Sequence, residues 1–293
     1  MLISSELVVL LLYFIFIGGS VQLNKRLLES VLQQVYAAGE HLTTLLYGNS
    51  PLDVQIKPDS TPVTNADIKL DQWMQATWAS SFPEIPIISE ESPIPDFSVR
   101  QQWDWLWCID PIDGTKGLIE NTDEYCINVA LIHQSRPVLG VIYAPAKQLI
   151  YAALKGYGAF MELSGHRTML QNPVPVHSPR RWITSHVNDS HWLARLASLS
   201  NISWQTTYSA LKFGYVAQGA AHVYPKVGPT SEWDVAAGQI ILEEVGGAVL
   251  DFEGNPLQYN ARKSLLNPHF IAVSRFDQFN DCLEELEQIR RRV

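Results

Sequence analysis

The chain has 293 residues, 46% of them hydrophobic, with a formal net charge of −9. That length and composition bury a large core, in one domain or two closely packed halves. The acidic balance excludes a nucleic-acid polymer as partner, since such binding needs a basic surface; a small anionic substrate stays open, because bound cations and local lysines reverse the field inside a pocket.

Residues Leu7 to Gly19 are a continuous apolar run, extendable to about Leu23, with Glu6 before it and Lys25 and Arg26 after it. A secretory signal carries its positive charges ahead of its apolar core, the reverse of this order. A spanning helix here would leave the rest of the chain in the cytoplasm, at the inner face of the membrane, although a run of about 17 residues is barely long enough to span. Residues 1–24 are set apart as a candidate membrane anchor, the alternative being a start codon assigned upstream of the true one, and residues 25–293 as the folded unit.

Leu27 to Tyr47 reads as an amphipathic helix, with Leu28, Val31, Leu32 and Val35 on one stripe and Gly48 as its stop. Ile68 to Trp78 reads as a second, with Trp73, Met74 and Trp78 spaced for burial. Strands follow near Ile85 to Ile88, Trp105 to Ile109, Cys126 to Ile132, Val138 to Tyr143 and Leu149 to Leu154, short and turn-bounded as in antiparallel pairs. Gly156-Tyr157-Gly158 is a turn rather than a phosphate loop. The second half offers helices near Ser190 to Leu199, Ala210 to Gly219 and Val235 to Val245, with strands between them. This alternation predicts a layered α/β fold. Cys108, Cys126 and Cys282 lack Cys-x-x-Cys spacing and read as buried, reduced thiols, which places the folded unit in a reducing cytosol.

The densest chemistry lies in Trp107-Cys108-Ile109-Asp110-Pro111-Ile112-Asp113-Gly114-Thr115, an apolar strand ending in two carboxylates, a glycine and a hydroxyl. Two Asp residues flanking a Pro-containing turn can aim both carboxylates at one point, as hard divalent cations require. Taken alone, the segment is equally an ordinary turn with Thr115 capping the next helix. Three further acidic segments end or open regular elements: Pro62-Val63-Thr64-Asn65-Ala66-Asp67, Ile87-Ile88-Ser89-Glu90-Glu91-Ser92 and Trp233-Asp234-Val235-Ala236-Ala237-Gly238. Each acid by itself reads as a first-turn helix residue or a solvated loop.

The ordered series PVTNAD, ISEES, DPIDGTKG and WDVAAG resembles the lithium-sensitive, magnesium-dependent phosphatase family that includes inositol monophosphatase, over about residues 27 to 275. Ser209-Ala210-Leu211-Lys212-Phe213, Val223 to Thr230 and Ser264 to Pro268 resemble its 3'(2'),5'-bisphosphate nucleotidase branch more than its inositol branch. The resemblance implies an α-β-α-β-α sandwich of two halves, about 25–180 and 181–293, with the site between them. It implies magnesium, two or three ions, held by Glu90, Asp110, the carbonyl of Ile112, Asp113 and Asp234, with Glu91 beside them. Asp67 and Thr115 become the catalytic pair that orients and deprotonates a water, and Gly114 lets the phosphate approach the backbone. His186, Ser209, Lys212 and Lys226 would contact the nucleotide and its second phosphate. Two departures stand out: Lys226 occupies a position often held by Arg, exchanging a bidentate fork for a point charge, and Leu118 replaces a common aromatic. The expected reaction is hydrolysis of the 3'-phosphate of adenosine 3',5'-bisphosphate to AMP. The alternatives are an inositol phosphate phosphatase on the same fold and a membrane-tethered metal-binding scaffold without turnover.

Overall fold

The computed structural model describes residues 16–17, 20–48, 51–171, 180–186 and 203–291. The first long helix, Lys25–Tyr47, buries Leu27, Leu28, Val31, Leu32 and Val35, and its start is fixed by Asn24, whose side chain accepts the Leu27 N–H. The second, Asn65–Ser81, begins three residues ahead of the expected Ile68 because Thr64 and Asp67 close a reciprocal capping box.

Seven strands follow in one sheet, ordered His166–Met169, Gly158–Leu163, Leu149–Leu154, Arg136–Ala144, Cys126–His133, Trp105–Asp113 and Ile87–Ser89. All neighbours are antiparallel except the last pair, where Ile87–Ser89 runs parallel to Trp105–Asp113. The strand expected to stop at Ile109 continues to Asp113. Both faces of this sheet are covered, so its strands read as continuous apolar runs whose side chains alternate in destination. Trp107, Ile109, Ile127, Val129, Leu131, Val141 and Ile150 pack against the two long helices. Leu106, Cys108, Cys126, Ala130, Ile132, Ile142 and Tyr151 point the opposite way.

That opposite face meets the helices Leu211–Ala217 and Ala236–Glu243, which occupy the expected 210–219 and 235–245 segments. The helix expected over 190–199 lies outside the described residues. The middle layer and the sheet approach closely at Gly140, where a Cβ would stand 2.6 Å from both the Ala237 carbonyl oxygen and Ile240 Cγ2. Only hydrogen fits there. Beyond the middle helices lies a five-stranded sheet ordered Ser203–Thr206, Arg181–Thr184, Val223–Lys226, Phe270–Val273 and Ala248–Asp251. Its alternation repeats the logic: Ile183, Tyr224, Val249 and Phe270 face the middle helices, while Trp182, Val223, Leu250 and Ile271 face the C-terminal helix Phe279–Arg291 through Phe279, Cys282 and Leu286. The result is the expected α-β-α-β-α sandwich. All three cysteines are buried and unpaired.

Two segments differ from expectation. A hairpin of Val54–Ile56 and Pro62–Thr64 precedes the second helix, in a stretch too short and polar to register as strands. At the N-terminus, Phe16–Ile17 pairs antiparallel with Ser20–Val21, so the apolar run does not continue to Leu23 as one helix. The run up to residue 15 lies outside the described residues. Among the described residues no helix is long and apolar enough to cross a membrane.

Candidate active site

The chemistry-bearing side chains gather where the strand Trp105–Asp113 ends. Its pairing with Cys126–His133 is regular up to Asp110 and breaks between Asp110 and Asp113, around Pro111. Asp110 is 1% exposed; its Oδ1 accepts the Ile112 N–H at 3.1 Å, while its Oδ2 is buried with no hydrogen-bond partner. Asp113 Oδ2 accepts the Ala210 N–H and, at 3.2 Å, the Asn128 amide. Gly114 follows at φ +89°, a left-handed conformation that favours glycine, and a Cβ there would lie 2.7 Å from the Glu124 carbonyl oxygen. Thr115 then opens the five-residue helix Thr115–Ile119.

Asp67 approaches from the first turn of the second helix. Its Oδ2 accepts both the N–H and the hydroxyl of Thr64, and its Oδ1 lies 3.0 Å from Thr115 Oγ1, which also lies 3.1 Å from the Ile112 carbonyl oxygen. Capping geometry thus fixes one carboxylate oxygen and leaves the other for Thr115. Asp234 arrives from the second half on the turn Glu232–Asp234, its Oδ2 held by Thr230 Oγ1 at 2.7 Å and Ser231 N at 2.8 Å. Glu90 follows the edge strand Ile87–Ser89. The carboxylate oxygens of Glu90, Asp110 and Asp234 lie within 4.8 Å of one another, and all are hard oxygen donors.

So many acids in one low-dielectric place hold on to protons. Burial first, then the charges of Glu90, Asp113 and Asp234, push the Asp110 carboxyl far above the ordinary range. Asp234 is pushed up to about 7 by burial and by Asp113 and Glu90. Asp113 is also raised by burial, against the pull of Lys212, Asn128 and the Ala210 N–H. Burial raises Asp67 as well, opposed by the hydroxyls of Thr64 and Thr115. Mutual repulsion together with an orphaned, buried Asp110 Oδ2 is the condition that a divalent cation relieves. The residues therefore fit magnesium.

Sequence reasoning missed Lys57. It follows the Val54–Ile56 strand and reaches Glu90 at 2.7 Å and Glu91 at 2.5 Å. Burial opposes its charge, but the two carboxylates outweigh it and hold the ammonium well above its usual range. Only this pairing in space, absent from the polar Lys57-Pro58-Asp59-Ser60 stretch, identifies it.

The residues expected to touch substrate divide. His186 Nε2 lies 2.8 Å from Glu124 Oε2, and its ring sits 4.3 Å from that of Tyr208, at the exposed mouth. Ser209 is buried at φ +59°, a strained conformation for a serine, which carries the Ala210 N–H onto Asp113. Lys212 is 4% exposed rather than a surface lysine: its Nζ donates to the carbonyls of Ser209 at 2.5 Å and Thr207 at 3.2 Å and lies 5.4 Å from the centre of the Tyr224 ring. Burial brings it down to about 8 against the pull of Asp113, and the charge of Lys226 adds to the lowering. Lys226, at the end of Val223–Lys226, is half-buried.

A five-layer sandwich with an acidic, cation-seeking cluster between its sheets defines the class of protein. The chain belongs to the inositol monophosphatase family, whose sequence profile matches residues 24–282. It is 38% identical over 244 residues to the 3'(2'),5'-bisphosphate nucleotidase CysQ of Shigella flexneri, covering 83% of this chain and 98% of that one. It is 35% identical over 255 residues to the protein of the same name from Haemophilus influenzae, covering 86% and 94%. Among solved structures, CysQ from Bacteroides thetaiotaomicron, a bacterial member of the family, superposes with a TM-score of 0.68 at 31% identity, covering 83% of this chain and 96% of that one. An inositol monophosphatase from Thermotoga maritima gives 0.70 at 26% identity, covering 89% and 98%.

Proposed function

We propose that this chain is a magnesium-dependent phosphomonoesterase that removes the 3'-phosphate of adenosine 3',5'-bisphosphate, leaving AMP. The observation that carries the reading is the convergence of Glu90, Asp110 and Asp234 around an unpartnered, buried Asp110 Oδ2, in a chain 38% identical to a 3'(2'),5'-bisphosphate nucleotidase. Glu90, Asp110, Asp113, Asp234 and the carbonyl of Ile112 would hold two or three magnesium ions. When bound, magnesium would supply an acidified water and neutralise charge on the phosphoryl oxygens.

The protein's own residues do the rest. Thr115 donates its hydroxyl proton to Asp67 Oδ1, so its lone pairs face outward to accept a proton from the attacking water, and Asp67 takes up the proton Thr115 passes on. The capping box keeps Asp67 from turning away. Gly114 admits the phosphate to the backbone at the start of the helix Thr115–Ile119. His186, Ser209 and Lys226 line the side that would take the nucleoside and its second phosphate. Lys212, buried beside Asp113, balances charge under the carboxylate cluster.

The reading treats residues 25–180 and 181–293 as two halves of one phosphatase unit, supported by the seven-stranded sheet lying wholly before residue 170 and the five-stranded sheet wholly after 180. Lithium, similar in size to magnesium with half its charge, would occupy a cation position without equal stabilisation and inhibit. Buried, unpaired cysteines fit a reducing cytoplasm. Attachment to the cytoplasmic face of the inner membrane rests solely on the apolar run within residues 1–24, and no described helix adds to it. The scaffold alternative leaves the Thr115–Asp67 pair without a role.

Phosphate release from adenosine 3',5'-bisphosphate and from inositol monophosphate, with and without magnesium, tests the proposal. Magnesium-dependent release from the first substrate well above the second is the expected result. A preference for inositol monophosphate would move the chain to the inositol branch.

A further inference from the structure

Buried polar contacts that the chemistry above does not use tie the two sides of the site together. Arg100, 2% exposed, closes the short helix Phe97–Arg100 that leads into the strand bearing Asp110 and Asp113. Its Nη1 donates to Asn260 Oδ1 at 2.6 Å, and its Nη2 donates to the carbonyls of Arg262 at 3.0 Å and Lys263 at 2.6 Å. Asn260 Nδ2 returns a hydrogen bond to the Arg100 carbonyl at 2.6 Å. The guanidinium and the amide therefore grip each other's residue from both ends.

The same loop then grips the turn that carries Asp234. Asn260 N donates to Glu232 Oε2 at 2.6 Å, Glu232 N to the Leu265 carbonyl at 2.9 Å, Asn267 N to the Thr230 carbonyl at 2.8 Å, and Asn267 Nδ2 to the Ser231 carbonyl at 2.8 Å. Thr230 and Ser231 are the residues whose hydroxyl and N–H hold the Asp234 carboxylate. Loop 260–267 is thus fastened on one side to the segment leading to Asp110 and on the other to the seat of Asp234. Asn260 sits at φ +52°, in the left-handed region that asparagine adopts more readily than most residues. Magnesium demands near-ideal ligand geometry, so the separation of the two ligand groups is a quantity the fold must fix.

We propose that Arg100 and Asn260 are positioning residues that set the place of Asp234 relative to Asp110 and Glu90, and through it the cation affinity of the cluster. The inference rests on the reading of these carboxylates as divalent-cation ligands.

Binding of Mn2+ to the full chain, followed by electron paramagnetic resonance, tests it without reference to turnover. Asn260→Ser keeps the backbone donor to Glu232 and removes the pairing with Arg100; Arg100→Lys keeps the charge and loses the fork. Each variant is expected to bind Mn2+ about tenfold more weakly while melting cooperatively, as removal of groups that orient metal ligands does. The magnesium concentration for half-maximal activity should rise by the same factor, with kcat recovered at saturation. Should Arg100→Lys not fold, Asn260→Ser carries the test alone. Wild-type Mn2+ affinity in a folded variant, with only the melting temperature lowered, would overturn the proposal and leave the clamp a fold staple. A wild-type chain that binds Mn2+ but releases no phosphate from the bisphosphate would end the nucleotidase reading and leave this inference standing.

Discussion

The two walls of the site are built by different means. On one wall, Asp67 and Asp110 are buried and Asp113 is half-buried, each placed by an end of regular structure: a capping box, a break in strand pairing, a strand terminus. On the other, His186 is 38% exposed in its side chain and Glu124 25%, joined by one side-chain hydrogen bond at 2.8 Å, with the His186 ring in tilted contact with Tyr208. Burial makes the first wall expensive to alter and electrostatically strong; exposure leaves the second screened by water and free to change partner. On the proposed reading, reaction chemistry sits where the fold is over-determined, and substrate choice sits where it is not.

Asp110→Asn should break this contrast most deeply. It keeps shape and removes the charge that a cation needs, so turnover should fall about a thousandfold, in the range of losing a preorganised electrostatic partner in a dry site, with Mn2+ binding lost alongside in titrations of the purified variant. Thr115→Ala comes next: about a hundredfold loss in kcat, as for removal of a proton-transfer group, with cation binding retained by calorimetry. Retention of wild-type kcat would remove Thr115 from the proton path.

The lysines sharpen the comparison, because one belongs to each wall. Lys226→Ala should lower kcat/KM for adenosine 3',5'-bisphosphate about tenfold, on the order of 1.5 kcal/mol for a charge-assisted contact, and leave a monophosphate nearly unaffected. Lys212→Met should depress both substrates alike, because its ammonium is spent on the Thr207 and Ser209 carbonyls beside Asp113. Losses confined to the bisphosphate would return Lys212 to the substrate wall. The smallest effect is expected of His186→Ala, a few-fold rise in KM, matching about 0.2–1 kcal/mol for an exposed pair.

Acidity offers a test of the buried wall as a whole. Asp67, Asp110, Asp113 and Asp234 all have raised carboxyls, so without a cation the folded state keeps protons that the unfolded chain has released. The contribution of these groups to stability is then greatest below their unfolded value of about 4 and falls as pH climbs toward the value of about 7 reached by Asp234. Magnesium should cancel that fall. The gap between melting temperatures with magnesium and with a chelator should widen between pH 4 and 7, and a constant gap would mean that the cluster does not bind the ion.

Much of this was legible in the chain. The 3.6-residue stripe of Leu28, Val31, Leu32 and Val35 and the apolar runs around Cys126 and Leu149 located helices and strands because each buries a face or both faces. Boundaries moved where a polar side chain set them, as Thr64 and Asp67 did by starting the second helix at Asn65. The acidic residues could be picked out because each ends or opens a regular element. Lys57 and the Arg100–Asn260 pair could not, since they are defined by partners 33 and 160 residues away, and spacing along the chain carries no trace of such distances.

Gly140 sets a tolerance for the whole machine. The middle helix Ala236–Glu243 follows directly on Asp234, and its carbonyl at Ala237 rests where a methyl group at position 140 would have to go. A single added carbon there would force a shift between that strand and the helix that follows Asp234, so the range of sequences open to this enzyme is bounded by a hydrogen atom outside the cluster as well as by its carboxylates.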